Sequence, residues 1–127
     1  MTKTLINITN HRLTPTQCEG YDRVVNMPPD IAACWSQVGV TEAEVFTAVN
    51  TVTDWLGDIF LNGAEAHVAV QGHYGATVAV VRWINYLLTD THIAVYSSSV
   101  RESVEETQPD GSVVKRSVFR HVAWNAY

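Results

Sequence analysis

The sequence predicts an α/β domain built on an open, mostly parallel sheet with helices on both faces and a C-terminal β-hairpin. Three observations carry that expectation. Strand-like and helix-like segments alternate along the first 96 residues. Ala66-His67-Val68-Ala69-Val70 is nearly continuous in apolar residues, as a strand buried on both faces requires. Beyond Arg101, two strand-like arms flank Pro109-Asp110-Gly111, an Asp-Gly turn signal.

The elements follow in order. Leu5-Ile6-Asn7-Ile8 is a short β-branched run and reads as the first strand, ending in the polar loop Thr9-Asn10-His11. Thr14-Pro15-Thr16-Gln17 has the form of a helix start, with a capping threonine, proline at the first helical position and glutamine to close the box. Arg23 to Met27 reads as a second strand, stopped by Pro28-Pro29, after which Asp30 is placed to cap a short helix through Val38. Thr41 and Glu44 form another capping box. Val45, Val49, Val52, Leu56 and Ile59 follow at spacings of three and four, an amphipathic helix closed by Asn62-Gly63. After the strand 66–70, two glycines lead into a helix from Ala76 to Leu88 that is apolar nearly all round, suited to packing against the sheet on one side and a partner subunit on the other. His92 to Tyr96 is a further strand ending at Ser97-Ser98-Ser99, and the second hairpin arm runs from about Val113 to Trp124.

Composition narrows the function. A chain of 127 residues corresponds to one domain, 1–127, and 46% hydrophobic residues suffice for a core. The net charge of −5 repels long nucleic acid, while local amides and a few arginines still suit a small anion. Cys18 and Cys34 lie in no C-x-x-C or zinc spacing and read as reduced structural thiols. With no signal-peptide core and no apolar run of membrane length, the expected location is cytoplasmic and away from membranes. The five histidines form no ligand cluster on one element, so neither a metal nor another cofactor is expected. G-x-S-x-G is absent, which removes one form of serine hydrolase.

In open parallel sheets, ligands bind beyond the C-terminal strand ends. That rule selects three loops: Asn10-His11, Gln71 to Gly75, and Ser97 to Ser99. In Gln71-Gly72-His73-Tyr74-Gly75-Ala76-Thr77, glycine permits close backbone approach and a helix N-terminus offers unpaired N–H groups to an anion. The plainer reading is a tight strand-to-helix turn. The segment is neither G-x-G-x-x-G nor a P-loop, which disfavours ordinary dinucleotide or nucleoside-triphosphate binding. His11 is suited to proton transfer near neutral pH, although a lone loop histidine is commonly a surface residue. Ser97, Ser98 and Arg101 offer hydroxyls and a guanidinium to phosphate or ribose; the alternative is a polar loop whose arginine pairs with Glu102 or Glu105. Arg120 and His121 alternate along the last strand, so a regular strand points only one of them into a given site. His67 and His92 begin strands and read as structural.

These segments together resemble a family. Thr9-Asn10-His11-Arg12-Leu13-Thr14, Val70 through Thr77, Ser97 to Arg101 with Glu105, and Phe119-Arg120-His121-Val122 with Tyr127 follow the order seen in small stand-alone CRISPR-associated proteins. That family is related to the CRISPR-associated Rossmann-fold (CARF) domains of type III CRISPR systems and is implicated as ring nucleases. One position departs: Trp124-Asn125 stands where the family carries an arginine, so no terminal arginine is carried over. The resemblance implies a homodimer of Rossmann-like domains binding a cyclic oligoadenylate, the tetra-adenylate first, across its two-fold axis. The expected reaction is cleavage by a ribose 2′-hydroxyl, which switches off antiviral signalling, and the absence of a ligand cluster makes it metal-independent. The catalytic residues are then His11, with His73 as the second choice, and Arg101. The ligand-binding residues are Asn10, Gln71, Gly72, Tyr74, Gly75, Ala76, Thr77, Ser97 and Ser98, with Arg120 or His121. The alternatives are a sponge or sensor that holds the same ring uncut, and an unrelated nucleotide-binding domain of the same architecture. The sensor is disfavoured because 127 residues leave no room for an appended effector.

Overall fold

A computed structural model describes residues 3–61, 65–87 and 91–127. The expected helix stop at Asn62-Gly63 and the end of the next helix at Leu88 lie outside the described residues. The elements are β1 (Thr4–Ile8), α1 (Pro15–Cys18), β2 (Arg23–Asn26), α2 (Pro29–Ser36), α3 (Glu42–Phe60), β3 (Ala66–Val70), α4 (Tyr74–Tyr86), β4 (His92–Thr107) and β5 (Val113–Ala126). One mixed sheet holds the five strands in the order β2-β1-β3-β4-β5. β2, β1, β3 and β4 are mutually parallel, and β5 returns antiparallel to β4.

Register explains the burial pattern. Ile6, Val25, Val68 and Ala94 lie in register across the four parallel strands and point to one face. With Ile8 and Val70 they pack under α2, α3 and α4, through Trp35, Ala48, Val52, Leu56, Val80 and Ile84. Leu5, Ala69 and Val95 point to the opposite face, where Leu13, Tyr21, Val24 and Trp124 cover them. Helices on both faces were expected. All three helices of eight or more residues pack on one face, and the single turn α1 serves the other, tied to β5 where the Trp124 indole N–H donates to the Gln17 carbonyl at 2.9 Å.

Both expected capping boxes form: Thr14 with Gln17 on α1, and Thr41 with Glu44 on α3. Asp30 is not a cap. It lies in the first turn of α2 and Pro28 takes the cap position without a side-chain bond, because Pro29 already fixes the backbone for the first helical position. Ser97 to Ser99 is not a loop either. β4 continues through these residues as the first hairpin arm, because β5 supplies a pairing partner for each of them; a ladder partner overrides the weak strand preference of serine. From Ser97 onward β5 is the partner that β4 pairs with. α4 buries Ala76, Val80, Val81 and Ile84 but leaves Tyr74, Val78 and Tyr86 exposed. No helix among the described residues is long and apolar enough to cross a membrane.

Candidate functional site

The direction of the connections positions the site. The chain leaves β1 toward β2 on one side, and leaves β3 toward β4 on the other. Their first loops therefore part at the C-terminal ends of two adjacent strands, the position at which open α/β sheets commonly bind ligands. The Gln71 N–H donates to the Ile8 carbonyl at 3.0 Å, which holds the two loop bases together. Asn10 and His11 stand exposed on the β1 side, and Gln71, His73, Tyr74 and Gly75 on the β3 side.

On the β3 side the turn is held from below. The Trp35 indole, 1% exposed, donates to the Gln71 carbonyl at 3.0 Å. A methyl group on Gly72 would meet that indole nitrogen at 2.8 Å, so packing against Trp35 accounts for this glycine without a ligand. His73 caps α4: its Nδ1 accepts the Ala76 N–H at 3.2 Å and its carbonyl accepts the Thr77 N–H at 2.8 Å. An accepting Nδ1 places the ring proton on Nε2, leaving a donor on the free edge of the imidazole. The N–H groups of Tyr74 and Gly75 keep no partner among the described residues, as the first turn of a helix leaves them. Ala76 is fully buried and contributes only through its backbone, and the Thr77 hydroxyl is buried without a partner among the described residues.

On the β1 side, Asn7, Thr9, Asn10, His11 and Arg12 meet Asn26, Met27 and α2 around a cavity of about 700 Å³. Asn7 is 5% exposed and is held by hydrogen bonds to Thr9, Asn26 and the His11 carbonyl. Sequence reasoning missed Asn7, Thr9, Arg12 and Asn26. The available signal was asparagine inside apolar parallel strands, where a buried amide demands partners.

The third expected segment divides. Ser97 and His121 meet beside Trp124: the Ser97 hydroxyl lies 2.5 Å from His121 Nδ1, and the two rings are 4.9 Å apart. Burial lowers the His121 pKa below its ordinary value. The Ser98 hydroxyl accepts from the Asn125 amide at 2.6 Å. A register shift between Ser98 and Ser99 sets the faces here, so that His121 turns toward Ser97 and Arg120 pairs with Glu102 at 2.7 Å. Arg101 lies over the Phe119 ring at 5.0 Å, on the part of the hairpin paired within itself. Along the strand it stands about 20 Å beyond Val95. Within one chain, then, adjacent strand ends carry Asn10 and His11 beside Gln71 to Thr77, Ser97, Ser98 and His121 make their contacts on the β4–β5 hairpin, and Arg101 and Arg120 lie further out along it. His67 is structural as expected: its Nδ1 lies 2.7 Å from the Tyr21 hydroxyl, and its pKa is lowered, first by burial and then by Lys3, against a raising influence of Glu65. Among the described residues no group of three or more His, Cys, Asp or Glu is placed to hold a metal ion.

Residues 3–125 match the profile of the family described as Uncharacterized protein MJ1673. The chain belongs to that family. No curated protein and no solved structure matched it.

Proposed function

We propose that this MJ1673-family chain is a Rossmann-like ring nuclease that binds a cyclic oligoadenylate, tetra-adenylate first, and opens it. The observation that carries the reading is the strand order, which sets the C-terminal ends of β1 and β3 side by side, with the His11 loop following one and the open N–H groups of Tyr74 and Gly75 following the other. The strand order places the reversal of connections there. The segments flanking it are those on which the resemblance to the CRISPR-associated family rests.

The chemistry needs little from the protein. The substrate's own 2′-hydroxyl attacks the adjacent phosphorus in line, the bond to the 5′-oxygen breaks, and a 2′,3′-cyclic phosphate and a 5′-hydroxyl result. The protein must orient the ribose, hold the phosphorane oxygens and move one proton. The helix N-terminus of α4 suits the phosphate oxygens. His11 carries no side-chain hydrogen bond among the described residues and is the proton-transfer residue of this reading; His73 offers a second donor from Nε2. The Ser97–His121 pair lies one strand further along the same edge and serves binding.

A homodimer belongs to the same reading. Tyr74 is 91% exposed, Phe46 68% and Val40 94%, and Phe46 and Val40 line a shallow cavity with His73 and Gly75 at the start of α4. A second copy seated there covers this apolar surface and brings two equivalent sets of strand-end loops onto a ligand of two-fold symmetry. The test is turnover of cyclic tetra-adenylate by wild type and His11→Ala. A good acid–base residue supplies on the order of 10²- to 10⁴-fold, so the variant is expected to lose about that factor while retaining the ring on a sizing column. Undiminished cleavage by His11→Ala would remove His11 from the mechanism.

A further inference from the structure

We propose that the cavity between β1, β2 and α2 is a nucleobase pocket and that Asn26 reads adenine in it; this rests on the cyclic-oligoadenylate reading for the identity of the natural ligand. The cavity, about 700 Å³, lies within the range of small-molecule sites. Its α2 wall is made of Pro29, Ala32, Ala33 and Ser36, whose hydroxyl donates back to the Ala33 carbonyl at 2.9 Å, with Met27 beside them. Two successive alanines on that helix stop at Cβ and leave room for a flat group, and a thioether and a pyrrolidine ring suit a π-face. Among the described residues no carboxylate and no lysine line the cavity, and its basic side chains are His11 and Arg12, from the loop after β1. The arrangement suits a neutral planar base inside and a phosphate near Arg12.

The opposite wall is polar and its hydrogen bonds run in one direction. The Thr9 hydroxyl accepts the His11 N–H at 3.2 Å and gives its own proton to Asn7 Oδ1 at 2.6 Å, the shorter of its two contacts, the other being the His11 carbonyl at 3.1 Å. Asn7 Nδ2 then spends its two hydrogens on the His11 carbonyl at 2.9 Å and on Asn26 Oδ1 at 3.1 Å. Every polar group of the Asn7 amide is used. That chain fixes which end of the Asn26 amide is which: Oδ1 turns toward Asn7 with one lone pair still open, and Nδ2 keeps both donors without a partner among the described residues. An amide with an open donor and an open acceptor side by side pairs with adenine, whose amino group donates where its ring nitrogen accepts. A 6-oxo purine presents an acceptor at the position of that amino group and leaves Oδ1 facing oxygen. The residue that orients the reader is thus buried in the sheet, and the reader itself is exposed at the end of β2.

Binding of AMP and of inosine 5′-monophosphate to the full chain, followed by NMR of the Asn side-chain amides, tests this. AMP is expected to shift the Asn26 amide and to bind roughly 5- to 150-fold more tightly than the 6-oxo analogue, the discrimination of one bidentate pair. Asn26→Asp keeps the acceptor for Asn7 and removes both donors, so it is expected to abolish the preference. Ala33→Trp fills the cavity from the helix side and is expected to abolish AMP binding in a chain that still melts cooperatively. AMP bound without a shift at Asn26, equal binding of both nucleotides, or unchanged AMP binding by Ala33→Trp overturns the proposal. Discrimination by Asn26 without cleavage of the cyclic ring leaves the pocket standing and sinks the nuclease reading; ring cleavage that is indifferent to Asn26→Asp does the reverse.

Discussion

At Gly72 a single methyl group decides between two accounts of a glycine. The turn between β3 and α4 was read as a place where backbone approaches a ligand, yet an added Cβ meets the Trp35 indole at 2.8 Å. Gly72→Ala is therefore expected to destabilise the fold by about 1–3 kcal/mol, the usual range for overpacking a filled site. A urea titration checks this; an unchanged midpoint would return the glycine to the ligand. The contact was invisible in the sequence because Trp35 stands 36 residues away from the Gln71 carbonyl that it bonds. Arg120 and His121 show the complementary case. Strand alternation said that the two side chains part, and they do, but the register shift at Ser98 and the Glu102 partner determine which one turns toward Ser97. His11 was legible as a strand-end residue. Asn7 and Asn26 were not, because a polar residue within a strand declares its role only when its hydrogen-bond partner is placed.

Local chemistry was easiest to read where it closes within a few residues. Thr41 and Glu44 form their box across three positions, with the Thr41 hydroxyl accepting the Glu44 N–H at 3.1 Å and the Glu44 carboxylate reaching back. Those bonds from Thr41 hold the Glu44 carboxyl below its ordinary pKa. Thr41→Ala is expected to cost about 1 kcal/mol, read from thermal or urea unfolding. Thr41→Ser, which keeps the hydroxyl, should recover most of it; equal losses in both variants would deny the cap. β4 was misread for the opposite reason. A run of three serines looks like a strand end, and only the long-range ladder to β5 carries the strand on to Thr107. The hairpin was legible at Asp110-Gly111, but that its first arm continues β4 through the serines without a break was not. α4 lies between these cases: its apolar character nearly all round was legible, while which of its side chains stay exposed, Tyr74 and Val78 among them, emerges only from the packing.

For the whole molecule, alternation of strands and helices gave the class, the parallel core and the hairpin, but strand order emerges only from the register of β1 between β2 and β3. That order sets the loops that follow β1 and β3 at neighbouring strand ends. The same packing sets the response to pH. Burial lowers the pKa values of His67 and His121 from their ordinary 6.5. The unfolded chain then binds more protons than the folded one as pH falls through that value, so this contribution is complete above about pH 6.5 and declines below it. The melting temperature is expected to drop between about pH 7 and about pH 5.5. His67→Gln, which retains a polar partner for Tyr21, should flatten the slope, and a slope unchanged in that variant would assign the effect elsewhere.

The most direct measurement is incubation of the purified protein with cyclic tetra-adenylate, with and without EDTA, with products resolved by chromatography and mass spectrometry. A metal-independent ring nuclease yields linear products ending in a 2′,3′-cyclic phosphate in both samples. An intact ring, whether it remains free or travels with the protein, would contradict the cleavage.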